Sequence, residues 1–269
     1  MMRCACAMAA LMRLPALMAL PVLILLAVLI PVPVLAQGPG ASWDWQLSPP
    51  FDLNVDVQVI DLDPDPVDAD QIAALKARGV FTICYVSVGT FEDWRDDVAA
   101  FPASVVGRDY PEWEGEFFLD IRDTGILLPL MQARFKACAD KGFDAVEPDN
   151  MDVYINDSGF DISAADTIRY VTALSDMAHA LDLQIGQKNV PELTDQLEPL
   201  LDFVITEGCF ADDWCDQVGR YAENGKPIFA AEYETADADR PALCLSARQS
   251  GMSLIFKSYD LDASGARCP

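Results

Sequence analysis

Histidine is nearly missing from this chain: of 269 residues only His179 is one. It lies within the helical pattern SDMAHALD, where a partly exposed structural role is expected, so a Ser–His hydrolase lacks its base. The glycine signatures are missing too. No G-x-S-x-G elbow, G-x-x-x-x-G-K-[ST] loop or G-x-G-x-x-G turn occurs, which removes the usual acyl-transfer, phosphate and dinucleotide grips. No C-x-x-C pair is present, and with one histidine a zinc site is not expected. The acids at 61, 63 and 65 in DLDPDPVDAD lack the glycine and glutamate of an EF-type loop. Neither a metal site nor a cofactor is expected.

Positive charge is also scarce, with 18 Lys and Arg against 43 Asp and Glu and a net charge of −25. Arg3 and Arg13 precede residue 37 and no acid does, so residues 37–269 carry −27. Such a field repels nucleic acid and anionic lipid and attracts cations. A solvated acidic surface is the plain reading; a positively charged substrate is the sharper one.

Arg3 and Arg13 are followed by LPALMALPVLILLAVLIPVPVLA, which closes on Val34-Leu35-Ala36 before Gln37. That pattern predicts a secretory signal peptide over 1–36. The run is also long enough to span a bilayer, so an uncleaved anchor is the rival reading. Pro15, Pro21, Pro31 and Pro33 count against the anchor. Membrane contact is therefore expected only if the leader is retained. Residues 37–269 are expected to form one secreted or periplasmic domain, as a monomer.

Six cysteines remain beyond the leader, which suits an oxidising compartment. Cys209 and Cys215 bracket a short loop and are the first expected pair. Cys244 and Cys268 would staple the C-terminus. Cys84 and Cys138 are either paired or buried thiols.

Short β-rich runs alternate with amphipathic stretches. Strands are predicted at 55–63, 80–89, 116–121, 144–150, 183–189, 202–208, 227–233 and 253–260. Regular β–α alternation implies a parallel sheet with crossover helices, and eight strands suggest a (β/α)₈ TIM-type barrel. A doubly wound open sheet is the alternative. In a barrel the C-terminal strand ends form the catalytic face. Here those ends carry Asp61, Asp63, Ser87, Gly89, Asp120, Glu147, Asp149, Asn150, Lys188, Asn189, Glu207, Glu232, Tyr233, Lys257 and Tyr259.

Paired carboxylates at such a mouth can hydrolyse a glycosidic bond: one protonates the leaving oxygen, the other serves the anomeric centre. DAVEPDN and FVITEG are strands four and six of the predicted order. A salt-bridged loop is an equally good reading of DAVEPDN from spacing alone. A catalytically silent polysaccharide-binding barrel and a carboxylate–metal hydrolase are the other classes to weigh.

From Trp43 onward, WDWQLS, VQVIDLD, ICYVSVGTFEDWR, GFDAVEPDNMDVY, IGQKN, FVITEGCF and PIFAAEY occur in order. In these the chain resembles the endo-α-1,4-polygalactosaminidase family, glycoside hydrolase family 114. The resemblance implies a TIM barrel and a galactosamine polymer as substrate, a cationic amino-sugar polysaccharide that suits the acidic chain. It also implies a catalytic pair in the Asp of EPDN and the Glu of ITEG, here Asp149 and Glu207. Glu207 is expected as acid/base, because Phe203 and Ile205 make its approach apolar, and Asp149 as nucleophile or base. Asp61, Asp120, Asn150, Lys188, Asn189 and Tyr233 are expected substrate contacts. Trp45, with Trp43, either stacks on sugar or packs the barrel. Trp94 and Trp113 are expected to be structural.

Overall fold

A computed structural model of the protein describes residues 38–233 and 235–269; the predicted leader lies outside them. Eight parallel strands form the central sheet: β1 (Trp43–Gln46), β2 (Val59–Leu62), β3 (Phe81–Ser87), β4 (Ala145–Asp149), β5 (Gln184–Lys188), β6 (Phe203–Glu207), β7 (Ile228–Tyr233) and β8 (Met252–Lys257). Each pairs with the next in chain order. A short antiparallel strand, Ala266–Arg267, lies on β8. Side chains complete the closure between β8 and β1. Trp43 Nε1 donates to Ser253 O at 2.8 Å, and Lys257 Nζ meets Asp44 Oδ1 at 3.2 Å. The fold is a TIM-type barrel, not an open doubly wound sheet.

Crossover helices cover the outside, among them Ala69–Ala77, Thr124–Lys141, Ala164–Ala180 and Arg240–Gln249. Local sequence starts them. Asp68 and Ser163 each accept the N–H three residues on, and Gln71 and Asp166 reach back to close capping boxes. The acidic run before the first helix thus serves a helix terminus, as its sequence suggests.

Two apolar layers hold the barrel. Inside, Trp43, Trp45, Phe81, Phe203, Phe229 and Ile255 fill the lumen. Gly186 is small because a Cβ there would lie 2.4 Å from the Phe203 ring. Outside, a larger layer packs strands against helices, including Ile72, Phe135, Leu174 and Val204. All three expected or allowed disulfides are present: Cys84–Cys138, Cys209–Cys215 and Cys244–Cys268.

Two strand assignments change. The run at 116–121 is not a barrel strand; Glu116–Leu119 pairs antiparallel with Thr90–Glu92 and Val106–Asp109 in a separate small sheet. Its adjacent aromatic residues Phe117 and Phe118 suit a pleated surface on any sheet, so composition alone does not say which one. The missing barrel strand is WDWQ, too short and too polar to stand out. All four of its residues are buried, and Asp44 is compensated by Lys257 and Arg267. The two changes cancel in the count, so DAVEPDN and FVITEG remain strands four and six.

Candidate active site

Alternation along each strand sends every second side chain into the lumen. On β6 these are Phe203, Ile205 and Glu207; on β4, Ala145, Glu147 and Asp149. The deeper positions are apolar and pack the barrel. The positions at the C-terminal ends are charged and form the floor and wall of a cleft.

Lys188 is the centre of that floor. Its ammonium lies 2.7 Å from Glu147 Oε1, 2.8 Å from Asp149 Oδ1 and 3.1 Å from Glu207 Oε2. It also sits 4.7 Å above the Trp45 ring, a cation–π contact. Burial alone would lower the Lys188 pKa, but Asp149, Glu147 and Glu207 overcome that and hold it well above its ordinary value. The lysine is therefore charged. Trp45 Nε1 donates to the other Glu147 oxygen at 3.0 Å. Trp45 is 1% exposed, so it forms the floor and offers no open face for stacking.

Asp61 lies beneath this layer, fully buried, and neither of its oxygens receives an N–H or O–H. Burial, and then Glu147, push its pKa well above the carboxylate range. Asp61 thus supports the floor from below and does not face the cleft.

Asp149 Oδ2 accepts from Tyr85 OH at 2.9 Å and from Asn150 Nδ2 at 3.3 Å. Glu207 Oε1 accepts from Tyr233 OH, and its Oε2 from Asn189 Nδ2 at 3.2 Å. Asn189 Oδ1 in turn accepts the Glu207 N–H at 2.9 Å. Both asparagines follow strand ends in the left-handed region, φ 61° for Asn150 and 49° for Asn189. Asparagine adopts that region more readily than most residues, and the turn folds each amide back on its carboxylate.

The cleft above has a volume of about 610 Å³. Nine acids line it, Asp63, Glu92, Glu112, Glu116, Asp149, Asp152, Glu207, Asp212 and Asp260, against two cations, Arg95 and Lys188. The structure brings Asp149, Glu207, Asn150, Lys188, Asn189, Tyr233 and Trp45 together around it. It does not bring Asp120 there. That residue lies beyond the small sheet, where Arg122 grips both of its oxygens at 2.7 and 2.8 Å. Asp63 is ion-paired with Arg95 at 2.9 Å, and Glu232 points outward to cap the Phe210 and Ala211 N–H groups. His179 sits on an outer helix and pairs with Asp202.

Sequence reading missed several groups. Trp94 and Trp113, expected to be structural, are 51% and 45% exposed and line the cleft wall. Tyr259 stacks on Tyr233 with centroids 4.5 Å apart. Tyr85 shares the inward face of Ser87 by strand alternation, a signal that would have found it.

Glycoside-hydrolase family GH114 matches residues 31–269. Among solved structures, the chain is similar to Ega3 of Aspergillus fumigatus, solved in complex with galactosamine. Identity is 32%, TM-score 0.81, with 86% of this chain and 96% of that one covered. The glycoside hydrolase domain of PelA from Pseudomonas aeruginosa shares the fold at 16% identity, TM-score 0.66, covering 86% and 99%. No match is found among curated proteins.

Proposed function

Since the chain belongs to glycoside-hydrolase family GH114 and is a glycosidase, we propose that it cleaves an α-1,4-linked, galactosamine-type polysaccharide with Asp149 and Glu207 as its catalytic carboxylates. One observation carries this reading: both carboxylates, from the two strands that flank β5, touch the same buried ammonium on β5. Lying 2.8 and 3.1 Å from Lys188 Nζ, the two contacting oxygens are no more than about 6 Å apart. A retaining pair, at roughly 5–5.5 Å between carboxyls, fits within that bound.

The division of roles is carried over from other barrel glycosidases, because the hydrogen bonds do not divide them: Asp149 accepts from Lys188, Tyr85 and Asn150, and Glu207 meets Lys188, Tyr233 and Asn189 in the same way. On that analogy Asp149 is the attacking carboxylate. Glu207, on the opposite side of Lys188, is the acid that protonates the leaving oxygen and then activates water. Phe203 and Ile205 lie deeper in the lumen; the groups that touch Glu207 are polar.

The cleft's acids support a cationic substrate, and the galactosamine bound to Ega3 supports an amino sugar. Exposed Trp94 and Trp113 offer flat faces to sugar rings. The three disulfides support an exported protein with residues 1–36 as leader. No helix among the described residues is long and apolar enough to cross a membrane.

The test is to assay Asp149→Asn and Glu207→Gln on partly deacetylated galactosamine polymer. Each folded variant is expected to lose several orders of magnitude in kcat, far more than one binding hydrogen bond accounts for. A variant keeping more than about a tenth of wild-type activity removes that residue from the pair.

A further inference from the structure

Behind the cleft wall, four side chains connect the small antiparallel sheet to Asp149. Glu116, near the start of that sheet's central strand, is buried yet lines the cleft. Its Oε2 accepts from Thr90 Oγ1 at 2.8 Å. Thr90 Oγ1 lies 2.5 Å from Ser87 Oγ, and Asn150 Nδ2 reaches both hydroxyls, at 3.0 Å to Ser87 and 3.1 Å to Thr90. The same nitrogen is 3.3 Å from Asp149 Oδ2. Ser87 and Thr90 are wholly buried and do not line the cleft.

The direction of these bonds is fixed by proton supply. A hydroxyl has one proton to give. With Glu116 Oε2 unprotonated, Thr90 gives its proton to it, so the proton between Thr90 and Ser87 comes from Ser87. Ser87 Oγ then accepts, from the Thr90 N–H at 3.2 Å and from Asn150 Nδ2. Both hydroxyl donors therefore point toward Glu116. Two hydroxyl oxygens acting as acceptors demand the NH₂ end of the Asn150 amide, and that end also faces Asp149. With the donors reversed, the amide oxygen would turn toward the Asp149 carboxylate and repel it.

The backbone is keyed to the same place. A Cβ at Gly89 would lie 1.8 Å from Asn150 O, so the segment entering the small sheet presses directly on the Asn150 peptide. Val88 N donates to Asp149 O at 3.1 Å, and Leu119 N to Gly89 O at 2.8 Å. The small sheet and the end of β4 thus share one bonded junction.

We propose that Glu116, Thr90 and Ser87 form a positioning relay that sets the orientation of Asn150 and, through it, of the Asp149 carboxylate. This rests on the reading of Asp149 as catalytic. None of the three relay groups reacts with substrate; Glu116 supplies the terminal acceptor, and the hydroxyls pass its polarity inward.

The experiment compares Thr90→Val, which removes the hydroxyl at nearly constant shape, with Thr90→Ser, which keeps it, and with Glu116→Gln and the double variant Glu116→Gln/Thr90→Val. Thr90→Val is expected to lower kcat about ten-fold with KM within about two-fold, the signature of lost positioning. Thr90→Ser should restore kcat, and the double variant should be no worse than Thr90→Val, since both break one chain. Should Thr90→Val fail to fold, Thr90→Ala removes the same hydroxyl and carries the same expectation. Wild-type kcat in Thr90→Val or Thr90→Ala overturns the relay. So does a Glu116→Gln variant in which only KM rises, because Glu116 is then a substrate contact. Asp149→Asn separates the two levels: if it stays active, the catalytic assignment has failed. If it is inactive while Thr90→Val is untouched, the relay alone has failed.

Discussion

Lys188 Nζ and Glu147 Oε1 meet at 2.7 Å where the two side chains are 2% and 1% exposed. The pair is closed from water on the barrel axis, and its remaining contacts are Trp45, Asp149 and Glu207. Removing one partner of a buried ion pair leaves an uncompensated charge. Lys188→Met is therefore expected to cost about 3–5 kcal/mol in urea unfolding. Activity should fall with it, because Asp149 and Glu207 then face each other across one site without a cation. The double variant Glu147→Gln/Lys188→Met should recover part of the stability and none of the activity. A Lys188→Met protein as stable as wild type would show that the ammonium is dispensable to the floor.

The contact of Asp149 and Glu207 with one ammonium gives a stereochemical prediction. Proton NMR of the first products should show the α-anomer released before mutarotation, as retention requires. Azide should restore turnover to Asp149→Ala and not to Glu207→Gln on natural polymer, giving a β-configured glycosyl azide. Release of the β-anomer would mean inversion, and Asp149 would then be the base for water.

The barrel and the convergence of Asp149 and Glu207 at its mouth were legible in sequence because strand ends are local: an apolar run finishing in Asp149 or Glu207 needs no distant information, whereas pairing these two as catalytic groups came from the family resemblance. WDWQ was not, since the burial of Asp44 and Gln46 depends on Lys257 and Asp52, which are remote or outside the strand. Asp61 and Asp120 show the limit at the site. Both follow apolar runs, yet one is sealed under Glu147 and the other turns outward to Arg122. Trp94 and Trp113 were not placed at the cleft because their segment leaves the barrel to form a separate sheet, and no local period marks that departure.

The acidic cleft bears on encounter with substrate. If its field draws in a cationic chain, kcat/KM on long polymer should fall as salt rises from about 0.01 to 0.3 M, where the Debye length shortens from about 30 to below 10 Å. kcat on a short oligomer at saturation should change little, since screening acts on approach and not on the bound complex. Equal kcat/KM at both salt concentrations would leave the charge a role in solubility alone.

Glu116 offers a test of the site's electrostatics that needs no substrate. Burial raises its pKa from 4.5 to about 7; the Thr90 hydrogen bond opposes this, Glu92 and Asp149 add to it, and Arg95 opposes it. Between those two values the unfolded chain has given up this proton and the folded chain still holds it. Stability from this group is complete below about pH 4.5 and is lost as pH rises to about 7, by an amount on the order of 3 kcal/mol. Asp61, Glu92, Glu147, Asp152 and Glu232 are also raised, so the wild-type slope contains their contributions. Glu116→Gln removes one of them. Urea midpoints at intervals from pH 4.5 to 8 should therefore converge toward the variant's advantage as pH rises, with the wild type losing ground through pH 5–7 and the gap constant above about 7.5. A difference between the two proteins that does not vary with pH would mean that Glu116 ionises at its ordinary value, and that the wall around it is wetter than the hydrogen bonds imply.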